Sequence, residues 1–362
     1  MSEIAGQQSR LDMLSYDVIH KKYNFISDIL TEAGSDLKLK GRPNFISYLR
    51  TLSNPIVGNS ADPIAIATNS IGVLVEPDGL VYRPAYDFSI FTQTATNAAI
   101  GQGGLMECKN FVTFLRSNGD VYTYDYGRMY PINKMSGASK TFKASRYVSH
   151  NPGTPVNYTS ILFNEQTSEF VWYPADGNQV CYPLSNGTLF SNKINKNLLY
   201  MKYVNYNGGE NFAILKDKTG GKVYLARFTS GQQRSFKEIT GTPLAQAENF
   251  EISDIYGYIF YSIGGKLFEY DFNLDLNKQM LDYGTRKISL LKFQYIPNTN
   301  DPEKKRYLDI TRRLVVCTYD PADLNTSGAM DIYSIPPINA PLVKEESYSG
   351  MGKIVSIDYR DR

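Results

Sequence analysis

One strand–turn–strand unit recurs along almost the whole chain. Its clearest copy is GYIFYSIGGKLFEYDF, residues 257–272, in which two apolar runs flank a pair of glycines. Glycines suit this place because a two-residue hairpin turn needs a positive φ. Four fainter copies follow the same plan: IGVLVEPDGLVYRP (71–84), FVTFLRSNGDVYTYDY (111–126), ILFNEQTSEFVWYP (161–174) and FAILKDKTGGKVYLARF (212–228).

The spacing of these hairpins predicts the architecture. An aromatic residue follows each turn, at intervals of 40, 50, 52 and 44 residues, in the order Tyr82, Tyr122, Trp172, Tyr224 and Phe268. A period of about 40 to 50 residues with about four short strands per unit is the sequence signature of a β-propeller. The units run nearly end to end. We therefore predict an all-β fold, a single β-propeller domain over residues 1–362 with about seven four-stranded blades.

The unit from Glu251 to Tyr283 predicts the strand order within one blade. Apolar and polar residues alternate in its third strand, as expected for a strand with one buried face. From the inner to the outer strand, the predicted segments are 251–256, 258–263, 266–272 and 278–283. The last unit is longer, because polar loops separate its strands. Its predicted strands are 287–295, 311–319, 330–335 and 341–348.

The two ends of the chain predict how the ring closes. Lys353 to Tyr359 has the pattern of an inner strand, but no blade follows it. The segments MSEI, AGQQ and SRLDMLSYD (residues 1–17) have the pattern of a second strand, a turn and a third strand, with no inner strand before them. We therefore predict that the C-terminal strand joins the N-terminal blade, which leaves no open sheet edge at the seam.

Charge and cysteine content narrow the possible functions. The chain has 38 basic and 36 acidic residues and a net charge of +2, so no bulk field favours nucleic acid or anionic lipid. No apolar run approaches 18 residues, so we predict no membrane span. The N-terminal ten residues lack the pattern of a secretion signal. The three cysteines, Cys108, Cys181 and Cys317, show neither disulfide-framework nor zinc spacing and are expected to be buried thiols.

Three segments are similar to the propeller part of the PKD-like lipoproteins of Bacteroidetes. They are SRLDMLSYD (9–17), GKLFEYD (265–271) and GMGKIVSIDYRD (350–361), and the resemblance covers most of the chain. In that family a lipidation signal and PKD-like modules precede the propeller, and neither is visible here. The resemblance implies an extracytoplasmic protein on the outer-membrane surface, associated with polysaccharide uptake or adhesion and lipid-anchored through an upstream segment. It brings no catalytic motif.

Two functions from different classes remain open. The favoured one is a non-catalytic, surface-exposed module that captures a glycan or a surface protein, acts as a monomer and needs no cofactor. The alternative is a propeller-type carbohydrate-active enzyme, a glycosidase or lyase, whose carboxylates converge in space without a sequence pattern. The chain has two histidines, His20 and His150, and no G-x-S-x-G, H-E-x-x-H or phosphate-binding glycine motif. We therefore expect a binder and not an enzyme.

Aromatic and amide residues on turns are the predicted ligand-binding residues. A tyrosine ring offers an apolar face and a polar tip, which suits it to stack on a sugar beside hydrogen-bonding amides. We expect second-to-third turns and links into inner strands to converge on one face at the channel mouth. The predicted residues lie in KYVNYNGGEN (202–211) and SHNPGTPVNY (149–158): Tyr203, Tyr206, Asn207, His150, Asn157 and Tyr158.

The run DFNLDLN (271–277) places oxygen-bearing side chains at every second position, as an EF-hand calcium loop does. Leu276 stands where that loop needs glycine, and apolar residues between the oxygens are typical of an amphipathic strand edge. We therefore expect no metal here, and the residues a cation would use are Asp271, Asn273 and Asp275. The same expectation holds for the oxygen cluster Asp320, Asp323 and Asn325.

Overall fold

Antiparallel strands form nearly all the regular structure of the chain. A computed structural model describes residues 1–17, 19–20, 22–49, 63–84, 87, 105–109, 113–125, 128–151, 159–185, 187–294 and 310–360. Among these residues α-helix is limited to α1, the single turn Ile29–Glu32, and to residues 310–311. No helix in these ranges is long and apolar enough to cross a membrane. The prediction of an all-β fold is confirmed.

The N-terminal third holds two short hairpins and the first blade. The hairpins are β1 (Ser2–Ile4) with β2 (Gln8–Arg10), and β3 (Met13–Asp17) with β4 (Lys22–Ile26). Blade 1 has three strands in the described residues, β5 (Pro43–Tyr48), β6 (Ile64–Thr68) and β7 (Gly72–Val75).

Five four-stranded blades follow, each with its strands paired in chain order. Blade 2 comprises β8 (Leu105–Lys109), β9 (Thr113–Arg116), β10 (Val121–Asp125) and β11 (Arg128–Pro131). Blade 3 comprises β12 (Ser149–Asn151), β13 (Thr159–Asn164), β14 (Glu169–Tyr173) and β15 (Tyr182–Pro183). Blade 4 comprises β16 (Lys196–Val204), β17 (Glu210–Asp217), β18 (Val223–Phe228) and β19 (Gln233–Ile239).

The last two of these blades match the predicted segments closely. Blade 5 comprises β20 (Asn249–Ile252), β21 (Ile259–Ile263), β22 (Lys266–Asp271) and β23 (Leu276–Asp282). Blade 6 comprises β24 (Lys287–Phe293), β25 (Leu314–Tyr319), β26 (Gly328–Ser334) and β27 (Val343–Met351). Because a blade packs against a neighbour on each side, its middle strands are buried on both faces, as in β17 and β21.

Ring closure occurs as predicted. Strand β28 (Lys353–Ile354) pairs antiparallel with β1, whose other edge pairs with β2, to form blade 7. Across this pair Lys353 Nζ lies 2.8 Å from Glu3 Oε2. The predicted inner strand 353–359 is shorter than expected, because the chain after Ile354 crosses to blade 1. There Ser356 Oγ accepts a hydrogen bond from the backbone N–H of Ile46 at 3.1 Å.

Apolar side chains fill the seams between successive blades. Separate buried clusters join blades 2 and 3, 3 and 4, 4 and 5, 5 and 6, 6 and 7, and 7 and 1. Between blades 1 and 2 the rings of Phe45 and Phe114 lie 6.3 Å apart. Seven blades therefore form a ring, and the fold is a seven-bladed β-propeller with blades of three or four strands. Within the described residues, blades 1 and 7 each show three strands, where four were predicted.

The prediction for the hairpin at 71–84 placed its first strand one position too early in the blade. The segment Gly72–Val75 pairs with β6 and is the third strand of blade 1, not the second. The turn predicted at Asp78–Gly79 follows this third strand, and Glu76 holds it by accepting both backbone N–H groups, at 2.8 and 2.6 Å. Tyr82 lies outside any strand. The pattern missed this because the first two strands of the blade lie in 38–63 and just beyond, where alternation is weak.

The third strand predicted at 9–17 is also two separate elements. Strand β2 ends at Arg10, and Met13–Asp17 pairs with β4 in a hairpin outside the blade sheet. Asp12 marks the break, because its carboxylate accepts from Arg10 Nε at 2.6 Å and from the backbone N–H of Asp28 at 3.1 Å. The hairpin rests on the ring through Tyr23, whose ring meets Tyr348 of β27 edge-on at 5.8 Å.

Two of the three predicted buried thiols are confirmed. Cys181 and Cys317 are free, and neither has exposed surface. Burial raises the pKa of both thiols to about 12. They are therefore packing residues without thiolate reactivity at neutral pH. The side chain of Cys108 lies outside the described part of the structure.

Candidate functional site

The alternation of strand direction gives the ring two different faces. Turns between second and third strands, together with links into each first strand, lie on one face, which we name the BC face. Turns between first and second strands, and between third and fourth strands, lie on the other face, which we name the AB face.

The predicted tyrosine-rich segment lies on the AB face, not on the face where we expected it. Strand β16 continues through Val204, and Tyr206–Gly208 is a single 3₁₀ turn that leads into β17. The segment is thus the turn between the first and second strands of blade 4. Asn207 is exposed at its tip with φ +49°. The sequence misled here because β16 is nine residues long, longer than a typical inner strand.

Both tyrosines of this segment, Tyr203 at the end of β16 and Tyr206 in the turn, pack against neighbouring residues. Tyr206 meets Phe272 of blade 5 edge-on at 5.7 Å, and its hydroxyl accepts from Asn273 Nδ2 at 3.3 Å. The ring of Tyr203 covers Gly209 so closely that a Cβ there would lie 1.8 Å from its hydroxyl oxygen. Burial, with a smaller effect of Asp254, raises the pKa of Tyr203. Both side chains are half-buried, so these contacts take up part of each ring.

Beside Tyr206 lies a buried ion pair that the sequence did not reveal. Arg227 Nη2 and Nε donate to Glu210 Oε1 at 2.5 and 3.2 Å, and the Glu210 side chain has no exposed surface. The guanidinium carbon of Arg227 lies 4.2 Å from the ring centroid of Phe272. A guanidinium that is paired and stacked in this way is a structural tie between blades 4 and 5.

The histidine candidate is in a strand, not in a loop as predicted. His150 belongs to β12 and is buried, and its Nδ1 lies 2.7 Å from Ser160 Oγ of the paired strand β13. Asn157 and Tyr158, the other candidates of this segment, lie outside the described residues. In the described residues, Ser149–Asn151 is the first strand of blade 3, and residues 202–204 are the end of the first strand of blade 4.

The EF-hand-like run does not gather its oxygens into one loop. Asp271 Oδ1 accepts the backbone N–H of Asn273 at 2.9 Å, whereas Asp275 Oδ1 accepts the Tyr270 hydroxyl at 2.6 Å. In the second cluster Asp323 accepts from its own turn. Throughout the described residues no group of three His, Cys, Asp or Glu side chains is arranged to hold a metal ion.

A cleft of about 350 Å³ lies on the BC face at the seam between blades 3 and 4. Blade 3 contributes the turn after β13, and blade 4 contributes the start of β16. The link into β16 is held across the turn by a hydrogen bond from the N–H of Ile194 to the carbonyl of Ser168, at 2.9 Å. The lining residues are Phe163, Glu165, Ser168, Lys196, Asn197 and Leu198.

The charged groups of this cleft are held in place by neighbours. Lys196 Nζ forms an ion pair with Asp217 Oδ1 and lies 3.9 Å from the ring centroid of Tyr224. The hydrogen bond from Lys196 lowers the pKa of Asp217. On the opposite wall Glu165 lies 2.9 Å from Lys143 Nζ. A cation and an anion therefore face a space of 300 Å³ or more, the size range of small-ligand sites.

Sequence reasoning favoured the face on which this cleft lies but did not name these residues. The signal was present, because NEQTSE (164–169) is a polar second-to-third turn and SNKINKN (191–197) is a link into an inner strand. Both kinds of segment were expected to converge. The choice fell on tyrosines instead, since composition favoured them.

No known protein family and no curated protein matches the sequence. Several solved propellers resemble the structure. The Dos1 propeller shares 11% identity, over 96% of this chain and 76% of that chain, with a TM-score of 0.49. The Cps50 (Swd1) propeller domain of Myceliophteria thermophila shares 14%, over 65% and 67%, with a TM-score of 0.39.

An extracellular domain of a putative one-component system from B. thetaiotaomicron is also similar. It shares 13% identity, over 82% of this chain, with a TM-score of 0.39. This chain spans about a third of that protein's length, 34%. The strand order and the ring of seams establish the fold of the present chain independently of these likenesses.

Proposed function

We propose that this propeller is a non-catalytic binding module that captures a glycan in the BC-face cleft between blades 3 and 4. The observation that carries the proposal is the cleft itself, which presents a fixed ammonium, a carboxylate and the exposed amide of Asn197 from two different blades. Sugar hydroxyls are both donors and acceptors, so they match a lining that offers both.

The setting of the proposed module follows from the sequence resemblance. We propose an extracytoplasmic protein of the PKD-like lipoprotein type, displayed on the outer-membrane surface and serving polysaccharide utilisation or cell adhesion. It would act as a monomer and need no cofactor. The resemblance in the segments 9–17, 265–271 and 350–361 supports this setting.

Titration calorimetry against a panel of soluble polysaccharides and oligosaccharides tests the proposal. Asn197→Ala and Glu165→Gln remove lining groups that are exposed, so the fold should be retained. We expect each to weaken binding about tenfold or more, as the loss of a site-lining hydrogen bond does. Asn207→Gly is the matched control, because it changes an exposed asparagine on the AB face and keeps the positive φ.

Three outcomes decide between the possibilities. Binding that is weakened by the cleft variants and not by Asn207→Gly supports the proposal. Binding that both cleft variants leave unchanged overturns the site. Release of shortened oligosaccharides during incubation would identify a carbohydrate-active enzyme, a glycosidase or lyase, instead of a binder.

A further inference from the structure

A buried carboxylate without a hydrogen-bond donor lies between blades 5 and 6. Glu269 is in β22, opposite Phe260 of β21 and Lys278 of β23, and is 1% exposed. Neither of its carboxylate oxygens has a hydrogen-bond partner among the described residues. An ionised carboxylate in such a place is strongly unfavourable unless another group compensates its charge.

A second carboxylate shares the same face of the strand. Asp271 is two residues from Glu269, so both side chains project from β22 toward blade 6. Asp271 is 4% exposed, and its Oδ2 accepts from Asn339 Nδ2 at 3.1 Å. Asn339 comes from the turn between β26 and β27 of blade 6 and is 6% exposed.

The amide of Asn339 leaves an oxygen unused. Because its nitrogen faces the Asp271 carboxylate, its Oδ1 must point elsewhere, and this buried oxygen has no partner in the described residues. Lys278 Nζ donates to the backbone carbonyl of Asn339 at 2.8 Å, which places Lys278 at the rim of the same group. The group thus contains two carboxyl groups and one ammonium, and burial raises the pKa of the Glu269 carboxyl to about 7.

We infer that Glu269, Asp271 and Asn339 form a binding site for a hard cation of the Ca²⁺ class between blades 5 and 6. Carboxylate and amide oxygens are the ligands that Ca²⁺ takes, and its flexible geometry lets water complete the shell. The site takes Asp271 from the EF-hand-like run but replaces that run's other residues with Glu269 of the same strand and Asn339 of blade 6. The path from solvent to this site is short, because the adjacent Ile338 is 85% exposed on the AB face.

Thermal unfolding of the full chain, freed of metal with EDTA and dialysed, tests the site. We expect millimolar Ca²⁺ to raise Tm by about 2 to 5 °C, because a ligand that binds the folded state alone stabilises it. Mg²⁺ at equal ionic strength is expected to give a smaller shift. Glu269→Gln should abolish the Ca²⁺ effect, whereas Glu238→Gln, on the outer strand of blade 4, should retain it.

A second variant keeps the inference testable if Glu269→Gln fails to fold. Asn339→Asp adds a carboxylate and tolerates the left-handed backbone of this position, φ +53°. We expect Asn339→Asp to have a lower Tm without Ca²⁺ and a larger Ca²⁺ shift than the unmodified chain. A Tm that Ca²⁺ leaves unchanged in both proteins overturns the inference. A Ca²⁺ shift of equal size in Glu269→Gln overturns it too.

Discussion

The carboxylate of Asp358 accepts the backbone N–H of Tyr48 at 2.7 Å, across 310 positions of the chain. Its other oxygen accepts from Gln294 Nε2, also at 2.7 Å. One side chain near the C-terminus thus joins the inner strand of blade 1 to the end of the inner strand of blade 6. The ring is therefore closed by more than the two pairs of the β28 ladder.

Removal of residues 352–362 should open this closure. The deletion takes away β28, the Asp358 contacts and the buried side chain of Ile354, which is 2% exposed. Loss of one such apolar side chain alone costs about 2 to 5 kcal/mol. We expect a much lower Tm and a broadened transition by calorimetry. Deletion of 361–362 alone is the control, and an unchanged cooperative melt of the longer deletion would contradict the closure.

The Arg227–Glu210 pair should be important for stability because it is buried. Arg227→Met leaves the Glu210 carboxylate without its partner, and such a loss typically destabilises by about 3 to 5 kcal/mol. Adding Glu210→Gln to it should restore much of the difference, as measured by urea unfolding. Arg234→Met is a matched control, since Arg234 Nε lies 3.9 Å from Glu210 and its side chain is 36% exposed. Equal losses in both single variants would count against this account.

Tyr206→Ala separates the sequence-based hypothesis from the structural one. The sequence predicts that Tyr203→Ala or Tyr206→Ala weakens ligand binding by roughly 1 to 3 kcal/mol. From the packing of Tyr206 on Phe272 we expect instead a loss of about 1 to 3 kcal/mol in the free energy of unfolding. Urea unfolding and calorimetry on the same samples measure both. Weakened binding at unchanged stability would restore the original assignment.

The pH dependence of stability should carry a contribution from Asp331. Burial alone would raise the pKa of this carboxyl, but hydrogen bonds from Lys344, Ser347 and Tyr283 lower it below its ordinary value. A carboxyl with a lowered folded-state pKa stabilises the fold above its unfolded-state pKa. That stabilisation disappears as the pH falls through the folded-state pKa.

Asp331→Asn should therefore be less stable at pH 7, by about 1 to 3 kcal/mol. It should also lose less stability than the unmodified protein between pH 5 and pH 3. Urea unfolding at a series of pH values measures both effects. Asp176→Asn, on an exposed turn, serves as the reference, and parallel pH curves for all three proteins would argue against the role of Asp331.

Much of the fold could be predicted because the strands and turns of one blade lie in one continuous segment of the chain. In blade 5 the turn at Gly264, with φ +58°, and the apolar runs beside it place every strand within four residues of its observed bounds. Ring closure was predictable for the same reason, since each end lacked a partner. Blade 1 was not, because a long connection separates β5 from β6, and its several turn signals do not mark one tight hairpin.

The candidate site could be predicted far less well, because it depends on contacts between blades. Nothing in the sequence near Lys196 shows that Asp217 fixes its ammonium, or that Glu165 lies across the seam. The sequence placed the tyrosine-rich turn one strand away from its true position, which moved it to the opposite face. Burial of Glu269 was equally hidden, since its strand alternates as an ordinary amphipathic one would.

The pairing of β1 with β28 also determines when blade 7 can form during synthesis of the chain. Strand β1 leaves the ribosome before the other strands of the ring, yet its inner neighbour follows only after about 350 further residues. At roughly 5 to 20 residues per second, the first hairpin waits about 20 to 70 seconds for its partner. During that interval blades 1 to 6 can form in order while one sheet edge stays open. Premature release or a stalled ribosome would therefore leave a nearly complete ring with an adhesive edge.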